Sequence, residues 1–188
     1  MDRQIFFTTI RPLFVHLTPA QVVGIEAKLD EFERRKLTDL RFLAYMLATS
    51  YHETGKLMAP VREGFAKSDM AARRIVRNRK YGGEVNGHVY YGRGDVQLTW
   101  LKNYQAMGKL LSIPLAENPD LALKPEVSAA IMFEGMLRGS FTAKKLSDYF
   151  NDTKTDWVNA RRIINGTDKA AMIAGYAREF HTALVLAS

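Results

Sequence analysis

Apolar residues recur along this chain with a period of three to four, the spacing that predicts helices rather than strands. Val22, Val23, Ile25, Leu29 and Phe32 keep that spacing from Thr18-Pro19-Ala20-Gln21 to about Arg34. Thr18 suits the cap of this helix, Pro19 its first turn, and Gln21 completes a reciprocal capping pair with Thr18. From Leu40 to Tyr51 the chain is apolar nearly all round, which marks a helix buried in a core. Helical periodicity resumes after Leu98, pauses at Asn118-Pro119-Asp120 and returns from Pro125 to Leu137. Two last helices are expected over about Asp156–Ile164 and Asp168–Leu186, with Asp168 as the cap of the final one.

Between these stretches the pattern breaks. Gly55, Pro60, Gly64, Gly82, Gly83, Gly87, Gly92 and Gly94 predict a loop-rich segment, with a short helix from Ala66 to about Arg77 and a small hairpin near Gly82-Gly83. Rigid helices therefore flank an irregular middle rich in Tyr, Arg and Glu. Binding and catalytic groups favour such loops, because a scaffold positions them while the backbone stays free to approach a ligand.

Composition narrows the class. A chain of 188 residues can bury one sizeable core without a metal or disulfide staple. It contains no cysteine, which fits folding in a reducing compartment. A net charge of +7 favours anionic partners: nucleic acid, anionic lipid or an acidic cell-wall polymer. The apolar run Ile5-Phe6-Phe7-Thr8-Thr9-Ile10 is too short for a membrane span and is followed at once by Arg11 and Pro12, so no cleavable signal is expected.

Two glutamates, Glu53 and Glu63, stand ten residues apart. Hydrolysis of a glycosidic bond needs such a pair, one carboxyl as acid and one as base or nucleophile. Glu53 ends the buried helix, where Tyr45, Tyr51 or Met46 would desolvate it and favour its protonated form. Glu63 follows Arg62 in the loop beyond Pro60, and a nearby cation would keep it ionised. Gly55 and Pro60 let the chain turn back between them. A separation of roughly 6.5–9.5 Å would give inversion, and one nearer 5 Å retention. Left alone, the pair also reads as two surface carboxylates.

Downstream runs Tyr90-Tyr91-Gly92-Arg93-Gly94-Asp95-Val96-Gln97-Leu98-Thr99. The two glycines allow close backbone approach, Arg93 can brace a loop, and Tyr90 and Tyr91 offer flat faces for sugar rings. If the stretch is extended, Gln97 and Thr99 share one side. Its bland reading is a glycine turn with a half-buried strand. His52-Glu53 begins like a zinc-binding His-Glu-x-x-His helix, but Lys56 takes the second histidine's place. His16, His88 and His181 suggest no other ligand set, so no metal is expected. The basic run Arg73-Arg74-Ile75-Val76-Arg77-Asn78-Arg79-Lys80 leaves a nucleic-acid-binding module as a competing class, although most such runs are solvated faces.

Taken together, Ala48-Thr49-Ser50-Tyr51-His52-Glu53-Thr54, Arg62-Glu63, Tyr91 to Thr99 with Asn103-Tyr104, and Ile163-Ile164-Asn165-Gly166 resemble glycoside hydrolase family 19. Within it they resemble the compact lysozyme-like endolysins of bacteriophages. The resemblance implies a mainly helical, lysozyme-like, two-lobed fold with a central cleft, built as one catalytic domain. Residues 1–36 would be N-terminal helices and 37–188 the glycoside hydrolase core. It implies Glu53 as general acid, Glu63 as general base and Thr99 as a holder of the attacking water. Tyr91, Arg93, Gln97, Asn103 and Asn165 would shape and line the sugar groove, with no cofactor. Glu84 is the next candidate for the base. The substrate implied is bacterial peptidoglycan, with chitin as the alternative. The absence of cysteine, and the short stretch from Glu63 to Tyr90, favour the endolysin branch. A catalytically dead glycan binder is a third reading.

The expected setting is a monomer in the host bacterial cytoplasm, released to the periplasm or cell wall at lysis by a separate holin-type protein. No nucleic-acid partner is expected, and transient contact with an anionic wall or membrane surface is.

Overall fold

The computed structural model describes residues 1–188. Seven α-helices carry the fold: α1 (Arg3–Ile10), α2 (Pro19–Arg34), α3 (Leu40–Glu53), α4 (Asp69–Ile75), α5 (Leu101–Leu111), α6 (Pro125–Arg138) and α7 (Ala170–Leu186). Three two-residue antiparallel pairs interrupt them. β1 (Val61–Arg62) pairs with β4 (Arg93–Gly94), β2 (Glu84–Val85) with β3 (His88–Val89), and β5 (Phe150–Asn151) with β6 (Lys154–Thr155). The architecture is the mainly helical one expected.

Local chemistry sets the element ends. Thr18 accepts from the Gln21 N–H while the Gln21 side chain accepts from the Thr18 N–H, so α2 starts where the capping pair placed it. Asp39 caps α3 by accepting from the Arg41 N–H. α4 is shorter at both ends than the sequence suggested, because Ser68 caps it and Arg77 and Asn78 leave it with φ of 56° and 54°. The hairpin turns at Asn86-Gly87 rather than at Gly82-Gly83. Asn-Gly is the pair that a tight hairpin turn favours. The expected helix over Asp156–Ile164 is a 3-10 turn, Asn159–Ile163. Asp168 does not cap α7: Lys169 stands at that position with φ 57° and no side-chain cap.

α3 is the axis of the main core. Leu43, Ala44, Tyr45, Met46, Leu47 and Ala48 are fully buried on it, among Phe6 and Ile10 of α1, Ile25 and Leu29 of α2, Met132 and Phe133 of α6, and Ile173, Ala177 and Phe180 of α7. Residues 1–36 thus share one core with the rest. A smaller core joins Tyr90, Leu98, Tyr104, Met107, Leu115, Ala122 and Ile131 around α5. A third, of Ala72, Val76, Val89 and Tyr91, sits under α4. The irregular middle thus has cores of its own, and it meets the helical body along α6.

Candidate active site

The segment from Gly92 to Thr99 is a tight reversal. Arg93 N–H donates to the Leu98 carbonyl at 3.2 Å and Leu98 N–H returns to the Arg93 carbonyl at 2.9 Å. The reversal needs left-handed backbone at Gly94 (φ 86°) and Gln97 (φ 52°). A β-carbon on Gly94 would also come within 3.0 Å of the Ser128 hydroxyl. The extended strand with Gln97 and Thr99 side by side is therefore not what forms. Gln97 folds back instead, its amide nitrogen donating to the Val61 and Gly94 carbonyls at 3.0 Å each. This fastens β1 to the reversal.

Tyr90 and Tyr91 are 1% and 0% exposed, so neither offers a face to a sugar. The Tyr91 hydroxyl donates to Asp69, and burial together with that acceptor pushes its pKa up to about 12. Arg93, 2% exposed, stacks over the Tyr91 ring at 3.6 Å and donates to Asp120 at 2.8 Å. It also donates to the Val89 carbonyl. Both residues are buried behind the reversal, and neither is open to a substrate, in contrast to the expectation from the sequence.

Beneath the reversal lies a fully buried charge pair. Asp95 receives the Lys28 ammonium at 2.8 Å and the Ser50 and Ser128 hydroxyls at 2.5 Å each. Lys28 donates in addition to the Gly24 and Met58 carbonyls at 3.0 and 3.1 Å. Both side chains are 0% exposed. One knot thus joins α2, α3, α6, the loop before Glu63 and the reversal. The sequence carried a signal for it: Lys28 lies three residues after Ile25 and four before Phe32, inside the apolar stripe of α2.

The two glutamates meet different surroundings. The Glu63 N–H donates to the Gly92 carbonyl at 2.7 Å, which ties the base candidate to the reversal. Its carboxylate accepts from the Gly92 N–H at 3.0 Å, the Tyr81 hydroxyl at 2.9 Å and the Lys80 ammonium at 3.1 Å. Burial opposes its charge, but these donors outweigh burial and hold its pKa below the ordinary carboxylate value. The stabilising cation is Lys80, not neighbouring Arg62, which turns to Asp120. Glu53 is partly exposed and takes the Arg161 guanidinium at 2.6 Å, so an ion pair replaces the apolar pocket expected around it. Arg161 is itself buried and donates to the Asp168 carbonyl. It lies 108 residues from Glu53, and no sequence signal connects them.

A cavity of about 840 Å³ opens beside the reversal, lined by Gln97, Thr99, Trp100, Asn103, Phe141 and Ile164 among others. Neither glutamate lines it; each is joined to its wall through one intermediate. Arg161, the partner of Glu53, accepts at its carbonyl from the N–H of Ile164. Tyr81, the partner of Glu63, meets Trp100 edge to face at 5.2 Å. Trp100 is 46% exposed and was missed in the sequence; it is the open aromatic face that Tyr90 and Tyr91 do not supply. Asn103 is exposed on the wall and donates to the Thr99 carbonyl, which fixes the turn into α5. Asn165 is exposed, next to Ile164, and its Oδ1 accepts from the Gly166 N–H. Glu84 is bound to Arg73 on the far hairpin and has no contact with the reversal.

Residues 33–148 match the model of glycoside hydrolase family 19, described as chitinase class I. Lys28, Arg161 and Asn165 fall outside the matched span. The chain is 36% identical over 84 residues to an endochitinase of Arabidopsis thaliana, covering 45% of this chain and 27% of that relative. It is 46% identical over 50 residues to an inactive chitinase-like protein of Hevea brasiliensis, covering 25% and 16%. It thus spans about a quarter or less of the length of these relatives. Its fold is similar to chitinase C from Streptomyces griseus, with a TM-score of 0.62 at 20% identity over 98% of this chain and 76% of that one. It is also similar to a bacterial family 19 chitinase, with a TM-score of 0.56 at 20% identity, covering 97% and 94%.

Proposed function

Because the chain belongs to glycoside hydrolase family 19, we propose that it cleaves β-1,4 bonds of bacterial peptidoglycan by an inverting acid/base mechanism, as an endolysin in host-cell lysis. The observation that carries the acid/base reading is the triple hydrogen bonding of Glu63. A carboxylate kept ionised by a backbone N–H, a phenol and an ammonium is ready to take a proton from water. In this reading Glu53 protonates the leaving glycosidic oxygen, oriented by Arg161, and must carry its proton against the pull of that guanidinium. Water, positioned with the help of Thr99, attacks the anomeric carbon from the opposite face and gives its proton to Glu63. The C–O bond to the leaving sugar breaks as the new one forms, and the anomeric configuration inverts. Trp100 supplies a stacking face, and Asn103 and Asn165 polar contacts to the sugar.

The net charge of +7 supports an anionic wall polymer as substrate. A second reading, chitin, is favoured by two Arabidopsis thaliana relatives named as endochitinases, while the Hevea brasiliensis relative is named an inactive chitinase-like protein. In the endolysin reading the protein acts as a monomer, released from the host cytoplasm once a separate protein opens the membrane. The deciding experiment sets turbidity loss of purified sacculi against sugar release from colloidal chitin, with mass spectrometry of the labelled fragments. Fragments released from sacculi are expected, with the new reducing end appearing first as the α anomer when the reaction is followed by NMR. Release from chitin alone would replace the substrate, and no release from either would return the chain to a glycan binder.

A further inference from the structure

The segment from Leu57 to Lys80 holds a surface that the hydrolytic reading does not use. Phe65, Met70 and Ile75 are 55%, 64% and 52% exposed, with Leu57 at 47% nearby. They belong to one neighbourhood, since Ile75 covers Gly64 and the Phe65 ring covers Gly55. Phe65 stands at φ 57°, a backbone setting that an aromatic residue rarely adopts. The fold thus holds an apolar ring in solvent at a strained position.

The charges around it are one-sided. Of the acids in this stretch, Glu63 is taken by Lys80 and Asp69 by Arg73, while Glu84 of the adjoining hairpin also binds Arg73. Lys67, Arg74, Arg77 and Arg79 are exposed and form no ion pair. Arg74 reaches only the Met70 sulfur, at 3.4 Å, so apolar and cationic groups are interleaved. A solvated charged face needs no phenylalanine or isoleucine in water, and an apolar patch meant for a neutral partner needs no unpaired arginines.

We infer that this face docks on the headgroup layer of an anionic phospholipid bilayer. The arginines meet lipid phosphates, and Phe65, Met70 and Ile75 enter the acyl boundary. Insertion distinguishes this partner from a soluble polyanion, which would use the arginines alone. The inference is independent of which glycan the protein cuts.

The test is co-sedimentation of the full chain with vesicles of phosphatidylcholine, with and without phosphatidylglycerol. Binding is expected only where phosphatidylglycerol is present, and it should weaken as salt rises. Arg74→Gln/Arg77→Gln/Arg79→Gln should weaken it about a hundredfold. Phe65→Asn/Met70→Ser, which keeps every charge and suits the left-handed position, should weaken it at least about tenfold. Circular dichroism confirms that each variant is folded. Equal binding to both vesicle types overturns the proposal, as does an arginine variant that binds like the parent. It is also overturned if Phe65→Asn/Met70→Ser binds vesicles unchanged while polyglutamate competes fully, since the face would then be a plain polyanion site.

Discussion

Asp95 and Glu63 are held by nearly the same set of donors, yet they serve different ends. Each accepts from one lysine and two further donors: Lys28, Ser50 and Ser128 for Asp95, and Lys80, Tyr81 and the Gly92 N–H for Glu63. Asp95 is sealed at 0% exposure and its lysine with it, whereas the Glu63 side chain keeps 20% and Lys80 56%. A sealed pair has no water to exchange with and fixes geometry. An open one is hydrated and stays accessible to a ligand. Solvent access, more than hydrogen-bond inventory, separates Asp95 from the carboxylate proposed as the base.

The sharpest way to break the comparison is to neutralise each carboxylate. Glu63→Gln should lower hydrolysis by about a hundred- to ten-thousandfold with a smaller loss of stability than at the buried pair, and azide should restore part of the rate. Parent-like kinetics would remove Glu63 as the base. Asp95→Leu or Lys28→Met should instead act on the fold, by roughly 3–5 kcal/mol in chemical denaturation, because each orphans a buried charge. Combining the two should recover much of that loss, and additive losses would show that the knot is not an interacting pair.

Smaller effects refine the picture of Glu63. Its pKa lies below the ordinary value in the folded chain, so the unfolded chain binds more protons near that value. The resulting stability is complete above the unfolded carboxylate pKa and fades as pH falls through the lowered folded one. Activity that needs ionised Glu63 should therefore persist below pH 4.5, the ordinary value. Lys80→Gln should move the acid limb of the kcat/KM profile upward, and Tyr81→Phe should move it by less. A stationary limb in both would detach it from Glu63. The smallest change expected is with Trp100→Ala, a rise in KM of a few-fold to about tenfold from lost stacking, with kcat nearly kept.

Much of the helical frame was legible because its signals are local. The Thr18–Gln21 caps and the all-round apolar run of α3 depend on residues within a turn or two of each other. What escaped depends on distant partners or on unusual backbone. Gln97 reads as part of a strand until its φ of 52° turns it inward. Tyr90 and Tyr91 look like surface aromatics until the cores beneath α4 and α5 take them up. Arg161 and Glu53 meet across 108 residues, a pairing that only the packed body creates. Asp168 has the right residue type for a cap, but Lys169 in the left-handed region separates it from α7.

The knot around Asp95 also bears on where this protein tolerates trimming. A version begun at residue 37 would delete Lys28, strand the Asp95 anion among the helices with its two serines alone, and leave the Met58 carbonyl without its ammonium. One cut back to residues 33–148 would in addition lose Arg161 and all of α7, the wall against which α3 is packed. Shortened forms therefore need to keep the Thr18 cap of α2 and, before it, α1 with its buried Phe6 and Ile10.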